Sequence, residues 1–299
     1  MSILVVGSVA LDSVETPFGK TSDILGGSAT YFSVSAKLFS PVNLVAVVGS
    51  DFPKKNIKFF EKHNINLKGL IQSKGETFRW EGRYGWDFAD PTTIATHLNV
   101  FATFNPKIPK SYQDSEYVFL ANIDPVIQKK VLNQVKRPKL TACDTMNFWI
   151  ENKRKQLLQL LKKIDVFLIN ESEAKELTYE ANLLKSGKKI MKLGPKAVII
   201  KRGEHGVLLF TQDNIFVSPA FLLESVVDPT GAGDTFAGGF MGYLAKSRKI
   251  NQNALRNAVV YGSIMATFAV ESFGLQCLGA VSLRDVNKRI KKFKKYTSF

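Results

Sequence analysis

Short, unbroken apolar runs recur along this chain, and helical stretches alternate with them. That alternation restricts the fold more than any other feature. "ILVVG" (3–7) comes before "SATYFSVSAKLF" (28–39), and "NLVAVVG" (43–49) before "FPKKNIKFFEKH" (52–63). Further on, "YVFLA" (117–121) precedes a helical stretch over 125–136, "KLTACD" (139–144) one over 153–162, and "IDVFLIN" (164–170) the run "ESEAKELT". "AVIIKRG" (197–203) follows another helical stretch, and a last helix starts in "VSLRDVNKRIKKFKKY". A run that is apolar at every position has no side for water, so it reads as a strand covered on both faces. Such strands separated by helices predict an α/β fold with a mainly parallel sheet flanked by helices.

Residues 66–101 break the rhythm. "ETFRWEGRY" (76–84) alternates, with Phe78, Trp80 and Tyr84 on one face and Arg79, Glu81 and Arg83 on the other. "ATHLNVF" (95–101) is also strand-like. The expectation is a small β-sheet lid, with residues about 66–101 supplying most of it, attached to one domain over 1–299. Its aromatic face needs cover from a substrate, from the main domain, or from a second copy in a homodimer.

With 299 residues, 45% apolar and 22% charged, the chain can build one large core. Cys143 and Cys277, the two cysteines, make neither a disulfide framework nor a zinc site and fit a reducing compartment. "MSILVVGSVALD" has no basic leader segment and reads as a first strand, and no apolar run is long enough for a membrane span. The chain is therefore expected in the cytoplasm, away from membranes. The net charge is +15. No RNP, zinc-finger or helix-turn-helix pattern accompanies it, so it reads as solvated helix faces and not as a nucleic-acid site. The same field favours an anionic small ligand such as a nucleoside triphosphate.

"DPTGAGDTFAGGF" (228–240) holds the densest chemistry. Phe236 and Phe240, and Gly239 and Gly242, have helical spacing, so Gly231, Ala232 and Gly233 fall at a helix start. The first N–H groups of a helix lack internal partners, and with no bulky side chains an anion can reach them. Asp234 sits in the same turn, where the helix dipole favours its ionised form. An anion hole beside a proton acceptor suits phosphoryl transfer to a hydroxyl. A plain tight turn with Asp234 capping the helix fits the segment equally well.

Three further motifs change that balance. "DPTGAGDTFAGGF" closely resembles the C-terminal signature of the ribokinase-like (PfkB) carbohydrate kinases. "LGGSATYFSVSAKLF" (25–39) resembles their double-glycine motif, "NESE" (170–173) their Asn-x-x-Glu motif, and "KRGEHG" (201–206) their Gly-x-x-Gly nucleotide loop, all in the family's order. The resemblance spans nearly the whole chain. It implies a ribokinase-like three-layer fold with a β lid, and an ATP-dependent kinase of a small sugar, with a nucleoside kinase or a catalytically silent ligand-binding relative as alternatives.

The resemblance also implies roles. Asp234 is the catalytic base, and Gly231, Ala232 and Gly233 bind the transferred charge. Asp12, Gly26, Gly27, Ser28 and Tyr31 face the substrate, and Phe78 and Trp80 of the lid's aromatic face either stack on it or belong to a dimer interface. In ribose-specific members the double-glycine loop continues with a lysine and an asparagine; here Ser28, Ala29, Thr30 and Tyr31 stand there. Asn170 and Glu173 hold Mg2+ through water, though they equally spell a helix capping box. Lys201, Gly203 and Gly206 meet ATP. Asp228 and Thr230 match positions that hold a monovalent cation such as K+. Arg79 and Arg83 suit a phosphorylated substrate or face solvent.

Overall fold

The structure, a computed structural model, describes residues 1–298. Numbered in chain order, the strands begin with β1 (Ile3–Val6), β2 (Ala10–Thr16), β3 (Gly19–Gly26), β4 (Val42–Gly49), β5 (Asn66–Ser73), β6 (Arg79–Arg83) and β7 (Thr92–His97). They continue with β8 (Tyr117–Leu120), β9 (Leu140–Cys143), β10 (Val166–Asn170), β11 (Ala197–Lys201), β12 (Val207–Thr211) and β13 (Ile215–Ser218). Nine of them form the main sheet in the order β13-β12-β11-β10-β9-β8-β1-β4-β5. Neighbours from β11 through β5 pair in parallel, and β12 and β13 close one edge antiparallel.

The apolar runs explain the layers. In β1, Ile3 and Val5 point into one core and Leu4 and Val6 into the other, all without exposed surface. The first core lies under helices Ser28–Lys37, Ala232–Ser247 and Gln252–Ala269, and the second under Pro125–Leu132, Arg154–Leu161 and Glu171–Thr178. Helix Ala232–Ser247 is wedged between its two neighbours because its glycines remove side-chain bulk. Gly238 lies against the Phe32 carbonyl, Gly242 against Phe39 and Gly239 against Met265. Ser35 Oγ donates to the Thr235 carbonyl at 2.7 Å and ties the helix start to its neighbour.

The lid is a second sheet, β3-β2-β6-β7. Its composition corrects the sequence expectation: residues 66–73 belong to the main sheet beside β4, and half of the lid comes from residues 10–26. Those strands lacked a clean period-two signal because β2 carries a buried Asp12 and its pairing with β3 shifts register between Asp12 and Val14. Asp12 accordingly lies within a strand and not in a turn. "FLLESVV" (221–227), strand-like in sequence, is irregular. The strands before it are the hairpin β12–β13, and the segment instead crosses to Val270, whose carbonyl accepts from the Val227 and Asp228 N–H groups at 2.7 and 3.2 Å.

Candidate active site

β10 and β11, the strand end at Asp144 and the turn before helix Ala232–Ser247 converge at one end of the main sheet, and the lid stands over them. Gly231 takes φ +74°, a left-handed conformation suited to glycine, and a Cβ there would collide with the Tyr31 ring packed beneath it. The turn therefore needs its glycine for two separate reasons. Among the described residues, no acceptor faces the backbone N–H groups of Gly231, Gly233 and Asp234. These are the free donors expected of a helix start.

Asp234 is in the first turn of the helix. Burial, then the charge of Asp144, push its pKa up to about 7, against the pull of Lys201. Loss of water thus opposes the helix dipole, which favours the ionised form. A group that titrates near neutrality suits proton transfer.

Lys201 ends β11, and its Nζ lies 2.8 Å from Asp144 Oδ2. A Cβ on Gly233 would stand only 2.9 Å from that same ammonium, so the lysine reaches the bare face of the helix turn. Burial alone would lower its pKa, but Asp144 and Glu173 raise it, so Lys201 is a fixed cation. Asp144 is buried, and its Oδ1 accepts from the Thr145 N–H at 2.8 Å. Sequence reasoning missed Asp144, since an aspartate ending a strand resembles any turn residue. Arg202, next to Lys201, is instead paired with Glu171 at 2.9 Å. In the loop that follows, Gly203 takes φ +52° with no atom within 4 Å of where a Cβ would stand. Gly206 takes φ +83°, where a Cβ would overlap the Ser218 carbonyl.

Asn170 and Glu173 form a full capping box: Asn170 Oδ1 accepts from the Glu173 N–H at 2.8 Å, and Glu173 Oε2 accepts from the Asn170 N–H at 2.9 Å. Glu173 is buried, and burial followed by Asp144 raises its pKa. A buried carboxylate beside further acidic oxygens fits a hydrated Mg2+ ion, which takes oxygen ligands and keeps its waters. Direct ligation by several side chains does not fit, since among the described residues no group of three or more His, Cys, Asp or Glu could hold a metal.

Asp12 comes from the lid. Its Oδ2 accepts from the Gly27 N–H at 3.2 Å, and burial, offset in part by that bond and reinforced by Asp228, raises its pKa to about 7. Gly26 leaves the room it needs, because a Cβ there would overlap the carboxylate. Trp80 is Asp12's register partner on β6 and so shares its face of the lid. Tyr84, just past that strand, reaches the helix turn, where Thr230 Oγ1 donates to its phenol oxygen at 3.3 Å. Asp228 is buried, accepting from Thr230 N–H at 2.9 Å and Gly274 N–H at 3.4 Å.

Three expected substrate residues are otherwise engaged. Ser28 Oγ lies 3.0 Å from Ser8 Oγ, inside the turn that starts its helix. Tyr31 is buried under Gly231, and Phe78 stacks on Phe101 at 5.3 Å. On the outer lid face, Arg79 pairs with Asp51 at 2.7 Å and Asp23 at 3.1 Å, and Arg83 with Glu15 at 3.1 Å.

Residues 3–279 match the model of the pfkB family carbohydrate kinases. The chain belongs to the PfkB carbohydrate kinase family. Its reaction class is ATP-dependent phosphoryl transfer to an alcohol, and its fold is ribokinase-like. This PfkB chain is 30% identical to the cytidine kinase of Thermococcus kodakarensis over 258 residues, 84% of this chain and 91% of that one. It is 25% identical to the nucleoside kinase of Methanocaldococcus jannaschii, covering 92% of each. A putative ribokinase II from E. coli, solved in complex with ATP and Mg2+, superposes with a TM-score of 0.80 at 17% identity, covering 97% of this chain and 99% of that one. Among the described residues no helix is long and apolar enough to cross a membrane.

Proposed function

We propose that this chain phosphorylates the primary alcohol of a neutral pentose compound, a nucleoside by preference, with ATP as donor. The observation that carries the reading is the turn at Asp234: a half-buried carboxylate, free backbone N–H groups and the Lys201 ammonium meet at one helix start. Asp234 takes the proton of the attacking hydroxyl. The new bond joins that oxygen to the γ-phosphorus as the bond to the ADP oxygen breaks. The Gly231, Gly233 and Asp234 N–H groups and Lys201 bind the negative charge that passes between them.

Asp12 accepts hydrogen bonds from the substrate's other hydroxyls, and Gly26 and Gly27 let the substrate lie against backbone. Asn170 and Glu173 hold Mg2+ through water; bound there, the ion neutralises charge on the phosphates. Gly203 and Gly206 admit the nucleotide to the backbone. Asp228, a buried carboxylate, and Thr230 hold a monovalent cation such as K+, tested by comparing potassium with sodium in the assay. Exposed Phe18, Trp86 and Ile94 give the lid apolar surface for a homodimer, tested by sedimentation. Use of ATP and the free cysteines fit a cytoplasmic enzyme.

Two observations support a neutral, base-bearing substrate. Arg79 and Arg83 are committed to carboxylates on the outer lid face, so they are not available to a substrate phosphate. Trp80 beside Asp12, with Tyr84 next to it, offers aromatic surface for a nucleobase. A free sugar is the second reading, since Asp12 and Asp234 serve its hydroxyls equally well. The test is ATP consumption with cytidine, other nucleosides, ribose and hexoses. Faster turnover of nucleosides supports the proposal, faster turnover of free sugars selects the second reading, and no turnover of any of them sinks both.

A further inference from the structure

β6 and β7 are joined by "YGWDFADP", residues 84–91, a strap that is fixed at three places. At its start, the Tyr84 N–H donates to the Glu15 carbonyl at 2.9 Å, and the phenol meets Thr230 of the Asp234 turn. In the middle, Phe88 stacks on Phe18 at 6.0 Å with planes 12° apart, and Trp86 meets the same ring edge-on at 5.9 Å. At its end, Ser172 Oγ donates to Asp90 Oδ2 at 2.7 Å. Phe88 takes φ +47°, which a bulky residue adopts only where its surroundings hold it. The strap thus runs from the turn carrying Asp234 to the turn carrying Asn170 and Glu173.

The last contact has a built-in competition. Ser172 Oγ also lies 2.8 Å from Asn170 Oδ1. A serine hydroxyl has one hydrogen, so it serves one acceptor well at a time. Anything that engages Asn170 Oδ1 from the nucleotide side releases that hydrogen to Asp90. We propose that Asp90 and Ser172 are a latch: positioning residues that hold the closed strap on the Asn170–Glu173 turn and link lid closure to the nucleotide half of the cleft. The sense of its effect on turnover rests on the kinase reading above, whereas the latch itself does not.

The deciding measurement is hydrogen–deuterium exchange at the amides of residues 85–90 in the full-length protein. Asp90→Ala and Ser172→Ala should each speed exchange there by about 2- to 12-fold, the range of one hydrogen bond. The double variant should exchange no faster than either single one. Ser172→Thr and Asp90→Asn, which keep a donor and an acceptor, should restore slow exchange. Adding MgATP should slow wild-type exchange and leave Ser172→Ala unchanged. Unaltered exchange in the alanine variants, or effects that multiply in the double variant, would overturn the latch. If the exchange pattern holds while no nucleoside or sugar is phosphorylated, the latch stands and the kinase reading fails.

Discussion

The end of the nine-stranded sheet and the inner face of the four-stranded lid meet across one cleft, yet they hold their charges differently. At the sheet end, the charge of Asp144 helps to raise the pKa values of Asp234 and Glu173, and Asp144 fixes the one cation beside them, Lys201. On the lid, Asp12 is a single carboxylate held by one backbone N–H. The lid's other charges sit on its outer face in pairs of their own, with Arg79 and Arg83 on carboxylates. Under the proposed function, the contrast puts reaction chemistry at the sheet end and choice of acceptor at the lid.

Removing the proposed base from the sheet end is the strongest way to break that division. Asp234→Asn should lower kcat by about 10²- to 10⁴-fold with little change in acceptor KM; near-normal turnover would end the assignment. Next comes Asp144→Asn, which frees Lys201 from its partner. Loss of a charge-assisted bond of this kind should reduce kcat/KM for ATP by roughly 10- to 100-fold, seen in initial rates at varied ATP. Asp12→Asn should act on the other side of the contrast, raising acceptor KM by about 10-fold with a smaller effect on kcat. An equal loss of kcat would move Asp12 into the chemistry.

Protonation sharpens the same comparison. As the proposed base, Asp234 must lose its proton to act, so kcat/KM should rise with pH up to about 7 and level off above it. Stability runs the opposite way. Asp12 and Asp234 have pKa values raised from 3.8 to about 7 by folding. The folded chain therefore holds more protons than the unfolded one between those limits, and stability falls as pH rises through them. Melting temperatures from pH 4 to 8 should show that decline, with a shallower slope in Asp234→Asn. The smallest effect is expected outside: Arg83→Ala, which breaks an exposed ion pair, should change activity by less than about twofold and stability by under about 1 kcal/mol.

What the sequence discloses depends on whether a feature is local. The Asp234 turn is legible because glycines, carboxylate and helix start fall within a few consecutive residues. The Asn170–Glu173 box is legible for the same reason, and its capping is the one that the four residues spell. Asp144 is not, since its meaning lies in Lys201, 57 residues away. Tyr84 read as part of an aromatic face, but its partner Thr230 is 146 residues distant. Phe78 shares that face in the pattern yet stacks on Phe101, because the residues after β7 turn back beneath it. The main sheet was readable from runs apolar at every position, and β2 and β3 were hidden by a carboxylate and a register shift.

The origin of the lid from two stretches of chain has a consequence for engineering. β2 and β6 lie side by side and parallel, but they come from residues 10–16 and 79–83, with β4 and β5 of the main sheet threaded between them. The lid is therefore no detachable cassette. Excising 79–97 would leave the β2 edge of the β2–β3 hairpin without its pairing strand, and grafting a relative's lid to alter acceptor choice means exchanging two segments together, matched at the Asp12–Trp80 register.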